Sequence, residues 1–267
     1  MPNKKLTVLN PNKEGYFTGL KDCRIYYQSW VPDGGIRAVL LVAHGFAEHS
    51  GRYGNLVSYF VPRGWAVYIP DHRGHGKSDG ERVQVDRFSD YVDDLKTMFA
   101  IARKEDPEKK VFLVGHSMGS AISLLYAARF QDELAGLVTS GGGINRPGET
   151  QPPRPAGQPL DTGFLSRDPE VIKAYVSDPL VYRGAIPPRL GEMMSDVAAA
   201  APLIKLPAVI MAGDAVADGT RSRTLFEALG SKDKTLKLYS GLRHEIFNEP
   251  EHPQVMADMA AWLDTRV

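Results

Sequence analysis

Short runs that are apolar at every position alternate along the chain with segments whose apolar residues recur every three or four positions. The run Val39-Leu-Leu-Val42 is the clearest, inside a stretch 37–43 that ends at His44-Gly45. Stretches 65–69, 111–114 and 208–211 have the same character, and 134–139 and 235–239 are also predicted strands. A run apolar at every position predicts a strand buried on both faces, as in a parallel sheet covered by helices. An earlier strand pair is predicted within 18–30, with 23–30 its clearer half. Phe88, Tyr91, Leu95, Met98, Phe99 and Ala102 mark one face of a helix over 88–104. Further helices are predicted over 53–62, 117–129, 220–229 and 254–263. Strands alternating with helices imply an α/β sandwich with right-handed crossovers.

The rhythm breaks between 141 and 207. This stretch opens on three glycines and continues as Arg146-Pro-Gly-Glu-Thr-Gln-Pro-Pro-Arg-Pro-Ala-Gly-Gln-Pro159. No core strand fits such a run, because proline removes ladder donors. An insertion over the C-terminal edge of the sheet is expected, a short cap with small helices near 171–176 and 191–201. The expected organisation is a core over 1–143 and 206–267, interrupted by a cap at 144–205.

Composition narrows the class. The 267 residues are 43% hydrophobic and 24% charged, a globular balance. Lys and Arg number 32 against 32 Asp and Glu. A net charge of zero argues against a dedicated nucleic-acid binder, whose footprint is basic. Cys23 is the single cysteine, so neither an internal disulfide nor a cysteine metal site can form. No stretch of 18 apolar residues occurs. The first twelve residues lack the basic start and apolar run of a secretory leader. A cytoplasmic protein is expected. His72 and His75 lack an obvious third ligand, so neither a metal nor a cofactor is expected.

The strongest chemical signal is Gly115-His-Ser-Met-Gly119, set between an apolar strand and a predicted helix. This is the G-x-S-x-G nucleophile elbow in the context that it requires. The sharp turn lifts the oxygen of Ser117 clear of the backbone. It also aims the Met118 amide and the helix N-terminus at developing negative charge. A serine needs a base. In this architecture the base comes last in chain order. His244 follows the last strand through a short loop above the same sheet edge, whereas His252 lies at the start of the final helix. His244 is therefore the expected base. His116 is expected to pack within the elbow.

The acid should follow the preceding strand, where the chain reads Gly213-Asp-Ala-Val-Ala-Asp218. Asp214 and Asp218 both qualify. One would orient the ring of His244 and stabilise its imidazolium. The other would be a loop or helix-capping residue, and Asp218, just before the helix expected from Thr220, suits a cap. An oxyanion hole needs two donors. Met118 supplies one amide, and Phe46, in the loop after the strand 37–43, supplies the other. His44 would buttress that loop. Asp71-His-Arg-Gly-His-Gly-Lys-Ser78 ends like a phosphate-binding loop, but its first required glycine falls on Asp71. A structural loop knitted by Asp71 and Arg73 is expected instead.

At these motifs the chain resembles the monoacylglycerol lipase group of the α/β-hydrolase superfamily, of the serine aminopeptidase S33 or Hydrolase_4 type. The matching stretches include His44-Gly-Phe-Ala-Glu-His-Ser-Gly-Arg-Tyr53, Asp71-His-Arg-Gly-His-Gly-Lys-Ser78 and Gly115-His-Ser-Met-Gly119. Leu165-Ser-Arg-Asp-Pro169, Ser177-Asp-Pro-Leu-Val181 and Leu236-Lys-Leu-Tyr-Ser-Gly-Leu-Arg-His-Glu-Ile-Phe-Asn-Glu249 extend the resemblance over nearly the whole chain. It implies an α/β-hydrolase fold, a mostly parallel eight-stranded sheet flanked by helices with a short cap. It also implies a cofactor-free Ser-Asp-His ester hydrolase that acts on monoacylglycerols or related small acyl esters. Ser117 would be the nucleophile, His244 the base, and Phe46 and Met118 the oxyanion donors. The family's acid loop is similar to Gly-x-x-Asp-x-x-Val-Asp. This chain is about two residues shorter there, and alignment from the following helix favours Asp214 as the acid, with Asp218 the other candidate.

The cap departs from the family as well, because the Pro-rich 147–159 replaces a longer apolar helix. A shallower acyl site is expected, with transient contact of the cap with a membrane or micelle surface. A lysophospholipase or general carboxylesterase, and a degenerate hydrolase that only binds, are the alternative readings.

Overall fold

The computed structural model describes residues 9–146, 148–149, 160–185, 187 and 193–267. Eight strands form one sheet: β1 (Lys13–Thr18), β2 (Arg24–Trp30), β3 (Ala38–Ala43), β4 (Trp65–Pro70), β5 (Val111–His116), β6 (Gly136–Ser140), β7 (Ala208–Gly213) and β8 (Lys234–Tyr239). Their spatial order is β1-β2-β4-β3-β5-β6-β7-β8. β2 runs antiparallel to both of its neighbours. From β4 to β8 every pairing is parallel.

Sequence explains the sheet's centre. Along β3, Val39, Leu41 and Ala43 enter one apolar cluster, and Ala38, Leu40 and Val42 enter the other. Side chains alternate across a strand, so a run apolar at every position feeds both faces. Helices α2 (Ser89–Glu105) and α3 (Met118–Phe130) cover the first face. Helices α1 (Gly54–Phe60) and α7 (His252–Asp264) cover the second. Tyr91, Leu95, Met98, Phe99 and Ala102 of α2 all lie in the first cluster. Each fully buried Leu or Phe side chain here contributes about 1.5–3 kcal/mol.

Two expectations shift. The early strand pair is Lys13–Thr18 with Arg24–Trp30, joined by a turn rather than filling 18–30 without a break. In the expected insertion, α4 (Pro169–Ser177) and α5 (Met193–Ala200) are helical. Val197 of α5, with Ala201, Ile204 and Ile144, packs into the first core cluster. Leu165, Tyr175 and Val181 form a small apolar cluster of their own. Residues 147, 150–159 and 191–192, at the start of the cap and before α5, lie outside the described residues. Among the described residues, no helix is long and apolar enough to cross a membrane.

Register carries the consequence for chemistry. Ala43 pairs with Gly115, and His116 with Ser140. The strands thus end together, and the loops after β3, β5, β6, β7 and β8 meet above one edge. Open parallel sheets bind ligands at this carboxyl edge.

Candidate active site

The elbow is built as the motif requires. β5 ends at His116, α3 begins at Met118, and Ser117 between them has φ 54° and ψ −118°. A side chain held at positive φ costs about 1–3 kcal/mol, so its surroundings must enforce it. The Ser117 N–H donates to the Ser140 carbonyl at 2.8 Å. The Ser120 hydroxyl lies 2.8 Å from the Gly115 carbonyl and 3.1 Å from that of Ser140, closing the turn from beneath. A Cβ on Gly119 would fall on the Ala43 carbonyl, and one on Gly115 on that of Gly119. Both glycines are thus required by close approach of strand and helix.

Beyond β3, the loop His44–Phe46 bends over Ser117. A Cβ on Gly45 would press on the Glu48 carboxylate and the Cβ of Ser117. His44 is fully buried; its Nδ1 donates to the Gly45 carbonyl at 2.8 Å, and its Nε2 accepts the His72 N–H at 2.9 Å. Burial pushes its pKa down to about 3, so it buttresses this loop as a neutral ring. Ala47 has φ 68°, and its carbonyl accepts the Tyr182 N–H at 2.9 Å. The Phe46 ring packs edge-on against His75 and Tyr182. Among the described residues, neither the Phe46 nor the Met118 N–H makes a backbone hydrogen bond. Two amides without a backbone partner among the described residues, on the loops that flank a raised serine, can receive an oxyanion.

His244, the expected base, comes from the loop after β8. His244 follows β8 by five residues, and its ring centroid is 4.9 Å from that of His116. Its Nδ1 donates to Asp218 Oδ2 at 2.6 Å. Both residues are 8% exposed. With the proton on Nδ1, Nε2 presents its lone pair, as a general base must.

The structure brings Asp218 to His244, not Asp214, the acid that alignment favoured. Asp214 is exposed, and its Oδ1 accepts the Gly241 N–H at 2.7 Å instead of meeting His244. The cause is the start of α6 (Asp218–Ala228), two residues before the expected position. Asp218 is therefore the first helical residue. Ala217 takes the capping position, without a side-chain cap, and the Asp218 carboxylate is free to face the base.

The surroundings set the base's proton affinity. Burial lowers the pKa of His244, but the Asp218 hydrogen bond and the charges of Asp218, Glu245 and Glu48 outweigh it, and the net shift is upward. His116, whose ring packs against His244, is held well below the usual range by burial and by His244. It carries no competing charge. With His244 as the base, a raised pKa moves the acidic limb upward, because only the neutral ring can take a proton. The acidic limb of kcat/KM is expected above the ordinary imidazole value, and Glu245→Gln should move it down. A pH–rate profile of both proteins checks this; an unmoved limb would show that Glu245 has no part in it.

Glu48 and Glu245 were not singled out by sequence reasoning. Glu48 Oε1 accepts the Gly45 N–H at 2.5 Å and the Tyr53 hydroxyl at 2.9 Å. Arg52 Nη2 reaches both Glu245 oxygens, at 3.0 and 2.8 Å. Burial and the Glu245 charge raise the pKa of Glu48. The i, i+4 spacing of Glu48 and Arg52 was the available signal, while Glu245 comes from the far end of the chain.

The remaining candidates are structural in geometry. Asp71 accepts the Ser50 and Lys77 N–H groups at 2.7 and 2.8 Å. Arg73 forks onto Asp94 at 2.7 and 2.8 Å. Ser78 Oγ donates to the Asp71 carbonyl at 2.6 Å. His252 Nδ1 donates to the Glu249 carbonyl at 2.8 Å, at the start of α7. Among the described residues, no three His, Cys, Asp or Glu side chains converge as a metal site.

The chain is similar to known proteins over most of its length. The family model described as serine aminopeptidase, S33, matches residues 34–251. The monoacylglycerol lipase of Mycolicibacterium smegmatis (strain ATCC 700084 / mc(2)155) is 37% identical over 279 residues, covering 96% of this chain and 98% of the relative. The monoglyceride lipase of Homo sapiens is 32% identical over 264 residues, covering 91% and 87%. The crystal structure of Paleococcus ferrophilus monoacylglycerol lipase matches with a TM-score of 0.77 at 30% identity, over 91% of this chain and 99% of that one. The eight-stranded sheet with its elbow and this match over most of the sequence lead to one conclusion: the chain belongs to the Hydrolase_4 (serine aminopeptidase, S33) family of α/β-hydrolases, and is a monoacylglycerol lipase-like member of it.

Proposed function

We propose that the protein hydrolyses monoacylglycerols and related small acyl esters through an acyl-enzyme formed on Ser117. The observation that carries this reading is the 2.6 Å pairing of Asp218 with His244, on the same sheet edge as a serine at positive φ. Ser117 Oγ attacks the ester carbonyl as His244 Nε2 takes its proton. The oxyanion accepts hydrogen bonds from the amides of Phe46 and Met118. The Asp218 carboxylate stabilises the imidazolium, which protonates the leaving alcohol. Water then attacks the acyl-enzyme, with His244 as base again. No step calls for a metal or cofactor.

The relatives named as monoacylglycerol and monoglyceride lipases support glycerol as the leaving alcohol. Fatty-acid release from monoacyl-, diacyl- and triacylglycerols of one chain length, and from a lysophospholipid, tests the reading. Monoacylglycerol is expected to exceed the diacyl and triacyl substrates by about tenfold or more in kcat/KM, close to 1.4 kcal/mol of transition-state stabilisation. Preference for lysophospholipid, or no turnover of any ester, would overturn it.

A further inference from the structure

We propose that Glu249 is a positioning residue for the base, locking the His244 loop to the cap segment that holds it. This rests on His244 being the base of the reaction proposed above.

The base needs such a lock because the sheet does not supply one. β8 ends at Tyr239, and His244 lies beyond its ladder. The His244 N–H donates to the Phe164 carbonyl at 3.2 Å, and the Glu245 N–H to that of Leu165 at 2.7 Å. The Arg243 guanidinium reaches the carbonyls of Gly163 and Ser166 at 2.6 and 3.1 Å. The segment 163–166, read from sequence as part of a cap, is therefore the track on which the base loop lies.

One carboxylate joins the two strips. Glu249 is 0% exposed. Its Oε1 accepts the Arg243 N–H at 2.9 Å and the Arg167 N–H at 3.1 Å. Its Oε2 accepts Arg167 Nε at 3.2 Å. It thus grips the residue just before His244 and the residue just after the track. A carboxylate is buried this completely only when its hydrogen bonds and charge are met, and here two backbone N–H groups and a guanidinium meet them. The other side of the loop is equally confined. A Cβ on Gly213, at the end of β7, would fall on the Leu242 and Arg243 carbonyls. A shift of Arg243 has little room to be absorbed before it reaches His244. It would change the register of the ring against Asp218.

The test uses Glu249→Ala, Glu249→Gln and Arg167→Met, assayed on p-nitrophenyl butyrate. The downfield proton resonance of the His244–Asp218 hydrogen bond is recorded for each protein. Glu249→Ala is expected to lower kcat about 100-fold, the loss typical of a misplaced catalytic group, with KM little changed and the resonance lost. Glu249→Gln keeps an acceptor for both backbone N–H groups and should restore most of the rate and the resonance. Should the alanine variant not fold, Arg167→Met decides, because it leaves the backbone bonds to Glu249 in place. It should lower kcat about tenfold and broaden the same resonance. A folded Glu249→Ala with wild-type kcat and an intact resonance overturns the proposal. So does a loss of melting temperature that leaves rate and resonance unmoved. Failure of the underlying reading looks different: the wild-type protein would show the resonance and yet hydrolyse no ester.

Discussion

Ser117→Ala is expected to lower kcat for ester hydrolysis by about 10^5–10^6, the loss seen when a serine nucleophile is removed from a working triad. The fold should be unaffected. Alanine keeps the Cβ, so it inherits the same φ of 54° and adds no new strain. The bonds that enforce the elbow come from the Ser117 backbone and from Ser120. None of these involves the Ser117 hydroxyl. Residual turnover should reflect the Phe46 and Met118 amides alone, about 10^3–10^4 over water. Initial rates on p-nitrophenyl butyrate, beside melting curves of both proteins, check this. Turnover within tenfold of wild type would remove Ser117 from the chemistry.

Asp218→Asn is expected to cost about 10^4 in kcat, close to 5.5 kcal/mol of transition-state stabilisation. Next to Nδ1, an amide offers its NH2 where a carboxylate offered an acceptor. The ring then turns its lone pair toward Asn, and the proton moves to Nε2, where it cannot take one from Ser117. The imidazolium also loses its counter-charge. Asp214→Asn should change kcat less than threefold, because an exposed amide oxygen still accepts the Gly241 N–H and such sites contribute little. Steady-state kinetics of the two variants side by side give the answer. A large loss in Asp214→Asn and none in Asp218→Asn would return the acid to the position that alignment favoured.

That reversal shows where sequence could be read and where it could not. The central strands were legible because β3, β5 and β7 are buried on both faces, which leaves runs with no polar position to confuse them. β1 was legible only at its last residue, Thr18, since Lys13, Glu14 and Tyr16 are exposed on an edge strand and leave no apolar run. Ser117 and His244 were legible because each follows a recognisable strand. The acid was ambiguous because two aspartates lie four residues apart and the choice depends on where a helix begins. Boundaries are fixed by capping and tertiary contact, which a propensity pattern resolves only to a few residues. Contacts between distant segments were beyond reach for a different reason. Arg52 meets Glu245 across 193 positions, and Arg167 meets Glu249 across 82. Each looks like an ordinary surface charge until the chain is folded. The same holds for α5, whose Val197 belongs to the core although its surroundings read as cap.

The central claim is that Ser117 is a nucleophile activated by His244. Stoichiometric labelling of the folded wild-type protein with a fluorophosphonate, followed by mass mapping of the adduct, tests it most directly. One adduct per chain is predicted, on Ser117, forming at a rate that falls toward acid pH along the same limb as kcat/KM. A folded protein that forms no adduct, or forms it on another residue, would contradict the account.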